Sequence, residues 1–321
     1  MLTYLTADMS KPETITAENQ LLLRDAIWID LFFPSKEEEN AVETLLGFVI
    51  PTRADMAEIE LSSRLYTENH ILFMTGAMIA QSESDNPLLD PVTFILTKQR
   101  LITIRYVEPQ SFRLFPAQIQ KLDHSHRNAL SLMIDLLDTT IDRLADILEL
   151  LGHRIDNYSK RIFPSQNNPE KIDYQLHMRE LGANGDLNTK AQESLVTFNR
   201  LIAFLSQTSE STCDKNQQLR LTALGKDIMS LTDHAHFLST KTNFLLDATL
   251  GLVNIEQNNI IKIFSVAAVI FLPPTLIASI YGMNFHFIPE MSWKYGYIYA
   301  VGLMALAAWL PYRYFKYRKW L

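Results

Sequence analysis

Ten positions in one C-terminal segment recur at alternating intervals of four and three: Asp247, Gly251, Asn254, Asn258, Ile261, Ser265, Ala268, Leu272, Thr275 and Ser279. A spacing of 3.5 residues keeps them on one seam of a helix. Small and polar residues alternate along the seam with Ile261 and Leu272, while the flanks carry Ile263, Val266, Ile270, Phe271 and Ile277. A lipid-facing or closely packed stripe is usually more apolar. Oxygens at this spacing can line a path for a cation. If several copies assemble, Asp247 becomes a ring of fixed negative charge and Asn258 a ring of amide carbonyls. Ile261 and Leu272, with Phe264 beside the seam, can close such a path by dewetting. The bland alternatives are a helix contact built on small residues and a solvated lone aspartate.

The seam runs into the triplet Gly282-Met283-Asn284. Hard divalent cations take oxygen ligands, and the smaller of them keep several waters, so a capture site for one should offer oxygens to a water shell. The Asn284 amide oxygen and the Gly282 carbonyl are such acceptors. Gly282 suits a chain leaving a helix where φ > 0 is needed. Met283 is placed to pack the turn, Tyr281 and Phe285 suit a membrane interface, and Glu290 can concentrate cations at the mouth. Taken alone, Gly followed by Asn is also an ordinary helix C-cap.

Two apolar runs hold this triplet between them. Residues 263–281 and 295–312 carry no charge, and each approaches the roughly 20 residues of a membrane-spanning helix. The N-terminus MLTYLTADMS has neither the basic flank nor the apolar core of a signal peptide. After residue 260 there are six basic residues and one acid, a balance of +5, which leaves −12 for the first 260 of a chain whose net charge is −7. Lys262 precedes the first run, and Arg313, Lys316, Arg318 and Lys319 follow the second. The positive-inside rule puts both termini in the cytoplasm and the triplet outside. An acidic N-terminal part speaks against nucleic acid and is compatible with cations. A single cysteine, Cys213, excludes an intramolecular disulfide framework and a cysteine zinc cluster.

The remaining chain supplies the frame. Over the first ~115 residues, DAIWIDLFF (25–33) and HILFMTGAMI read as buried strands, and PVTFILTKQRLITIRYVEP as two strands around a Lys98–Arg100 turn. Ser35 and Glu38 form a capping-box pattern at the start of a helix. From about Ser125 the period changes, and ALSLMIDLLDTTIDRLADILELLGHRIDNYSKRIF, with no proline until Pro164, reads as one long amphipathic helix. A second follows, weakened near Gly182–Gly185. A third has no proline between Gln217 and Leu272; as one helix over 217–281 it would extend roughly 97 Å at ~1.5 Å per residue, with Pro273-Pro274 placed to kink it. No internal repeat or low-complexity tract is present. The expected segments are 1–120, an α/β domain; 121–216, long antiparallel helices; 217–281, a stalk continuing into the first span; 282–293, the outer loop; 294–314, the second span; and 315–321, a basic tail.

In this arrangement the segment NIEQNNIIKIFSVAAVIFLPPTLIASIYGMNFHFIPEMSWKYGY (254–297), with the tail YFKYRKWL, resembles the CorA family of magnesium transport proteins, bacterial type. The resemblance implies an α+β cytosolic domain (an α/β sandwich), long stalk helices and two C-terminal transmembrane helices in a funnel-shaped homopentamer of the inner membrane. It implies a passive channel for Mg2+, with Co2+ and Ni2+ also passing, and gating by intracellular Mg2+ on the cytosolic domain. Mg2+ is then substrate and regulatory ligand, with no prosthetic group. It places the outer selectivity site at Gly282 and Asn284, polar and acidic pore rings at Asn258 and Asp247, and a hydrophobic gate at Ile261, Phe264 and Leu272. Ile261 and Phe264 replace the family's commoner Met and Leu, and His286 replaces an acid common in relatives.

Other features carry less. His124/His126 and His234/His236 are i, i+2 pairs that face different ways on a helix. The acidic stretch IDLLDTTIDRLADILEL reads as a solvated face. The chain has no phosphate loop and no sign of a catalytic triad, so an enzyme is not expected. The competing readings are a zinc carrier of a related branch and a membrane-tethered structural or signalling protein. A tether, however, has no reason to align Asn258, Ser265, Thr275 and Ser279.

Overall fold

The computed structural model describes residues 1–9, 11–15, 20–58, 60–84, 86–120, 128–163, 173–209, 213–283, 293–318 and 320. The chain divides into two compact units, Met1–Leu245 and Leu246–Leu321. The first unit thus takes in the segments 1–120 and 121–216 and the beginning of the third long helix.

The first unit opens with β1 (Leu2–Thr6), β2 (Glu13–Thr14), a 3-10 turn (Gln20–Asp25) and β3 (Ala26–Phe32). Next come α1 (Lys36–Leu46), α2 (Arg53–Met56), α3 (Leu61–Arg64) and β4 (Leu65–Glu68). The sheet is completed by β5 (Ile71–Ala80), β6 (Leu88–Leu96) and β7 (Leu101–Arg105). Then follow α4 (Gln110–Ile119), α5 (Ala129–Ile162), α6 (Tyr174–Thr208) and the start of α7 (Lys215–Tyr281). The seven strands lie in the order β2-β1-β3-β7-β6-β5-β4. β3 and β7 pair in parallel, and the other neighbours are antiparallel.

Period-two alternation decides the layers. Ile29, Leu31, Ile102 and Ile104 share one face, where they join Val42 of α1 and Met56 of α2 in a single apolar core. Trp28, Asp30, Thr103 and Arg105 take the other face. There the Trp28 ring meets Phe115 of α4 at 5.3 Å between centroids, α5 contacts β3 and β7, and α6 contacts β5. The result is an α/β sandwich with helices on both faces of a mixed sheet.

The second face carries a charged network. The Arg105 guanidinium donates from Nε and Nη2 to Asp30 Oδ2 at 3.1 and 2.9 Å, and from Nη1 to the Val107 carbonyl at 3.0 Å. Thr103 Oγ1 donates to Asp30 Oδ1 at 2.6 Å and accepts from Trp28 Nε1 at 3.1 Å. The guanidinium also stacks on Phe32 and Phe112, 4.1 and 4.6 Å from their ring centres.

Local chemistry fixes the helix ends. Ser35 accepts from the Glu38 N–H while Glu38 accepts from the Ser35 N–H, the expected capping box. α1 stops at Gly47, whose φ of 77° places it in the left-handed region. Asn128 caps α5 through the Ser131 N–H, and the helix starts at Ala129, where the amphipathic pattern begins. α6 runs unbroken through Gly182 and Gly185. The cost of about 1 kcal/mol per helical glycine is offset by the buried Leu181, Asn184, Leu187 and Asn188.

One link joins α6 to the sheet. β4 pairs with β5 only at residues 71–74, so at Ala77 the outer edge of β5, on the side away from β6, lies beyond that strand pairing. Ala77 sends both main-chain groups to α6: its N–H donates to Thr197 Oγ1 at 3.0 Å, and its carbonyl accepts from Ser194 Oγ at 2.7 Å. Gly76 makes room for this approach. A Cβ there would lie 3.2 Å from the Phe198 ring.

The second unit consists of α7 from Leu246 onward and α8 (Gly296–Tyr317). α7 stays helical through Pro273 and Pro274. Neither proline can donate, so the carbonyls of Val269 and Ile270 lose their usual i+4 partner. Among the described residues, α7 alone contains a window long and apolar enough to cross a membrane. The run 295–312 is helical too, but five tyrosines (Tyr297, Tyr299, Tyr312, Tyr314 and Tyr317) dilute α8.

Candidate functional site

All ten seam positions, from Asp247 to Ser279, are exposed in the single chain. On another face of the same helix Val266 is buried, and Ile270, Pro273, Pro274, Ile277 and Tyr281 are half-buried. At ~100° per residue, the centre of the seam lies about 150° around the helix from the centre of this stripe. Between Asn254 and Ser265 every face of α7 is exposed; from Val266 to Tyr281, where part of the helix is covered, the seam lies nearly opposite the covered stripe. Of the five flanking apolar residues, Val266, Ile270 and Ile277 lie in the covered stripe, while Ile263 and Phe271 are 65% and 70% exposed.

The gate candidates are separated by this geometry. Ile261 and Leu272 lie on the seam and are 59% and 65% exposed. Phe264 is also exposed but stands about 80° from the seam's centre at ~100° per residue. The Thr275 hydroxyl donates to the Phe271 carbonyl at 2.7 Å, an i−4 bond that satisfies its proton and leaves acceptor capacity on the oxygen.

At the end of α7 the Gly282 N–H donates to the Ala278 carbonyl at 2.9 Å, and the Met283 N–H to the Ile280 carbonyl at 3.3 Å. The expectation of φ > 0 at Gly282 is not met, since Gly47 is the glycine with positive φ among the described residues. A Cβ at Gly282 would sit 3.2 Å from the Ala278 carbonyl oxygen, close enough that the neighbour would have to give by a few tenths of an ångström. Met283 is half exposed. Asn284, Phe285, His286 and Glu290 lie outside the described residues.

The first unit adds a feature that the sequence pattern hid. The acidic face of α5 meets α7. Arg220 of α7 binds Asp135 at 2.7 Å and Asp138 at 3.4 Å. Asp142 is exposed at its surface, yet partial desolvation, then the charges of Asp138, Asp146 and Asp227, push its carboxyl above its usual range. Asp227 comes from α7 and is 85 positions away in the chain, so helical periodicity on α5 alone gave no sign of it. Among the described residues, no group of three or more His, Cys, Asp or Glu is arranged to hold a metal ion. His234 stacks on Phe237; His124 and His126 lie outside the described residues.

Comparisons with known proteins converge. The family profile described as CorA-like Mg2+ transporter protein matches residues 24–318. The chain is 38% identical over 299 residues to the magnesium transport protein CorA of Pasteurella multocida, covering 93% of each chain. It is 35% identical over 321 residues to that of Salmonella typhimurium, covering both completely. Its fold is similar to the solved CorA magnesium transporter of Methanocaldococcus jannaschii, with a TM-score of 0.78 and 18% identity over 100% of this chain and 99% of that one.

Proposed function

This chain belongs to the CorA-like Mg2+ transporter family, and from that premise we propose that it is a passive Mg2+ channel. The observation that carries the reading is that α7 is continuous from Lys215 to Tyr281, which puts the ten seam positions on one side of one helix. From Val266 onward that side lies nearly opposite the stripe that the chain covers. One such helix cannot enclose a path, so several copies must contribute it. In the proposed assembly, a homopentamer, the seam faces the axis. Asp247 and Asn258 form a charged and a polar ring, and Asn254, Ser265, Ala268, Thr275 and Ser279 line the path. Ile261 and Leu272, with Phe264 at the margin, form the apolar constriction.

Gly282 and Asn284 form the outer selectivity site in this reading, with Met283 holding the turn and Glu290 drawing cations to the mouth. α7 and α8 both cross the inner membrane, and both termini are cytoplasmic. Moving one charge across 100 mV is worth ~2.3 kcal/mol, so a divalent ion gains about 4.6 kcal/mol on entering an inside-negative compartment. That drives uptake without ATP. Co2+ and Ni2+, octahedral ions of similar size, follow the same path, and intracellular Mg2+ bound to the first unit closes it.

The test is entry of Mg2+ into vesicles holding the purified protein, followed with an enclosed dye, wild type beside Asn284→Ala. Potential-driven entry that the substitution abolishes is the expected result. Entry of Zn2+ in place of Mg2+ would favour a zinc carrier. No entry of either ion, from a folded oligomer, would leave only a tether.

A further inference from the structure

The C-terminal end of α8 carries an arrangement that the transport reading does not use. The Arg313 guanidinium lies 5.3 Å from the ring centre of Trp309, four residues before it, and the Lys316 ammonium 5.9 Å from that of Tyr312. At ~100° per residue these four side chains fall within about a 100° arc. They form one face with two cations, each held over an aromatic ring. Trp309 and Tyr312 are 50% and 44% exposed, and both cations are exposed. No Asp or Glu occurs after Glu290, and no ion pair to Arg313 or Lys316 is present among the described residues. A third pair, Arg318 over Tyr314 at 5.9 Å, points from the opposite side of the helix.

We propose that the Trp309–Tyr312–Arg313–Lys316 face binds the headgroup of an anionic phospholipid. The inference rests on the reading that α8 crosses a bilayer. Indole and phenol rings settle at headgroup depth, and cations fixed above them stand where lipid phosphates lie. Uncompensated positive charge at that depth selects anionic over zwitterionic lipid, each basic residue adding about 1 kcal/mol. A stacked guanidinium also presents its free edge in a geometry that suits a phosphate's paired oxygens.

The experiment counts lipids retained by the full-length protein in nonionic detergent, using native mass spectrometry with equal amounts of phosphatidylglycerol and phosphatidylcholine. Wild type should retain phosphatidylglycerol preferentially. R313Q/K316Q should lower that preference by roughly 30-fold, the equivalent of about 2 kcal/mol for two basic residues. K316R, which keeps the charge, should preserve it. An unchanged preference in R313Q/K316Q overturns the proposal and leaves the spanning reading intact. Release of the wild type from membranes by alkaline carbonate overturns the spanning reading and the lipid site with it. If the double variant instead alters the oligomeric mass while its lipid count stays constant, the cations pair with another copy's carboxylates and the lipid proposal falls.

Discussion

Arg105→Met should unfold the first unit at a much lower temperature. The substitution keeps the apolar stem and removes the guanidinium. Asp30, 4% exposed, then loses every contact to Arg105 and keeps a single side-chain donor, the Thr103 hydroxyl at 2.6 Å. The Val107 carbonyl loses its 3.0 Å partner as well. Breaking a buried ion pair from one side costs ~3–5 kcal/mol, because an uncompensated charge stays behind. In a unit of this size each kcal/mol lowers Tm by about 2–4 °C, so the expected fall is roughly 6–20 °C. Trp28 reports on the event directly, since its indole N–H donates to Thr103 and the ring is 3% exposed. Thermal melts of the full-length protein followed by tryptophan emission would measure it. Asp30→Leu combined with Arg105→Met leaves no charge and should recover most of the loss. A fall below ~3 °C for the single variant, or a double variant worse than the single, would refute the reasoning.

Three further outcomes follow from the same structure. Asp142→Asn should raise Tm at neutral pH. The folded-state pKa of Asp142 is raised, first by partial desolvation and then by Asp138, Asp146 and Asp227. Its destabilisation is therefore complete above that raised value and vanishes as pH falls to the ordinary 3.8; melts at pH 7 and pH 3.5 should diverge and coincide respectively. Thr197→Val strips the Ala77 N–H of its acceptor at a cost of about 1–3 kcal/mol, and hydrogen exchange at the Ala77 amide should accelerate while β7 amides hold. Gly282→Ala places a methyl 3.2 Å from the Ala278 carbonyl, so the turn that carries Met283 must give by a few tenths of an ångström. A shift that raises the permeation barrier by about 1.4 kcal/mol would cut Mg2+ flux roughly tenfold, with Tm of the first unit unchanged; a full rate would show that the turn tolerates a side chain.

Patterns that are local in the chain were legible, and patterns that depend on distant partners were not. The capping box at Ser35, strands β3, β5, β6 and β7 and the run of α7 all follow from spacing within a dozen residues. The seam was legible because 3.5-residue periodicity survives over 33 positions (247–279). β1 and β2 escaped notice because they are short and carry no turn signal. α6 contradicts its own glycines, since packing overrides propensity. Gly at a helix end suggests a left-handed residue, yet Gly282 keeps φ outside that region and its N–H still bonds the Ala278 carbonyl one turn back. The Asp142 cluster could not be seen because Asp227 reaches it from another helix.

The bond between Ala77 and α6 has a bearing on how the chain is made. Its two halves are 117 and 120 positions apart. Synthesis at ~5–20 residues per second brings Ser194 and Thr197 out on the order of 6–24 s after β5. Throughout that interval the far half of β5 is a bare strand edge, the kind that recruits strands from other chains. β5 is also among the most apolar stretches of the first unit. The protein therefore passes through a window in which aggregation competes with folding, and the window shuts only when α6 arrives. Slower translation across residues 81–194 should lower the yield of folded protein even though no residue has changed, and chaperone demand should peak before the last third of the chain is complete.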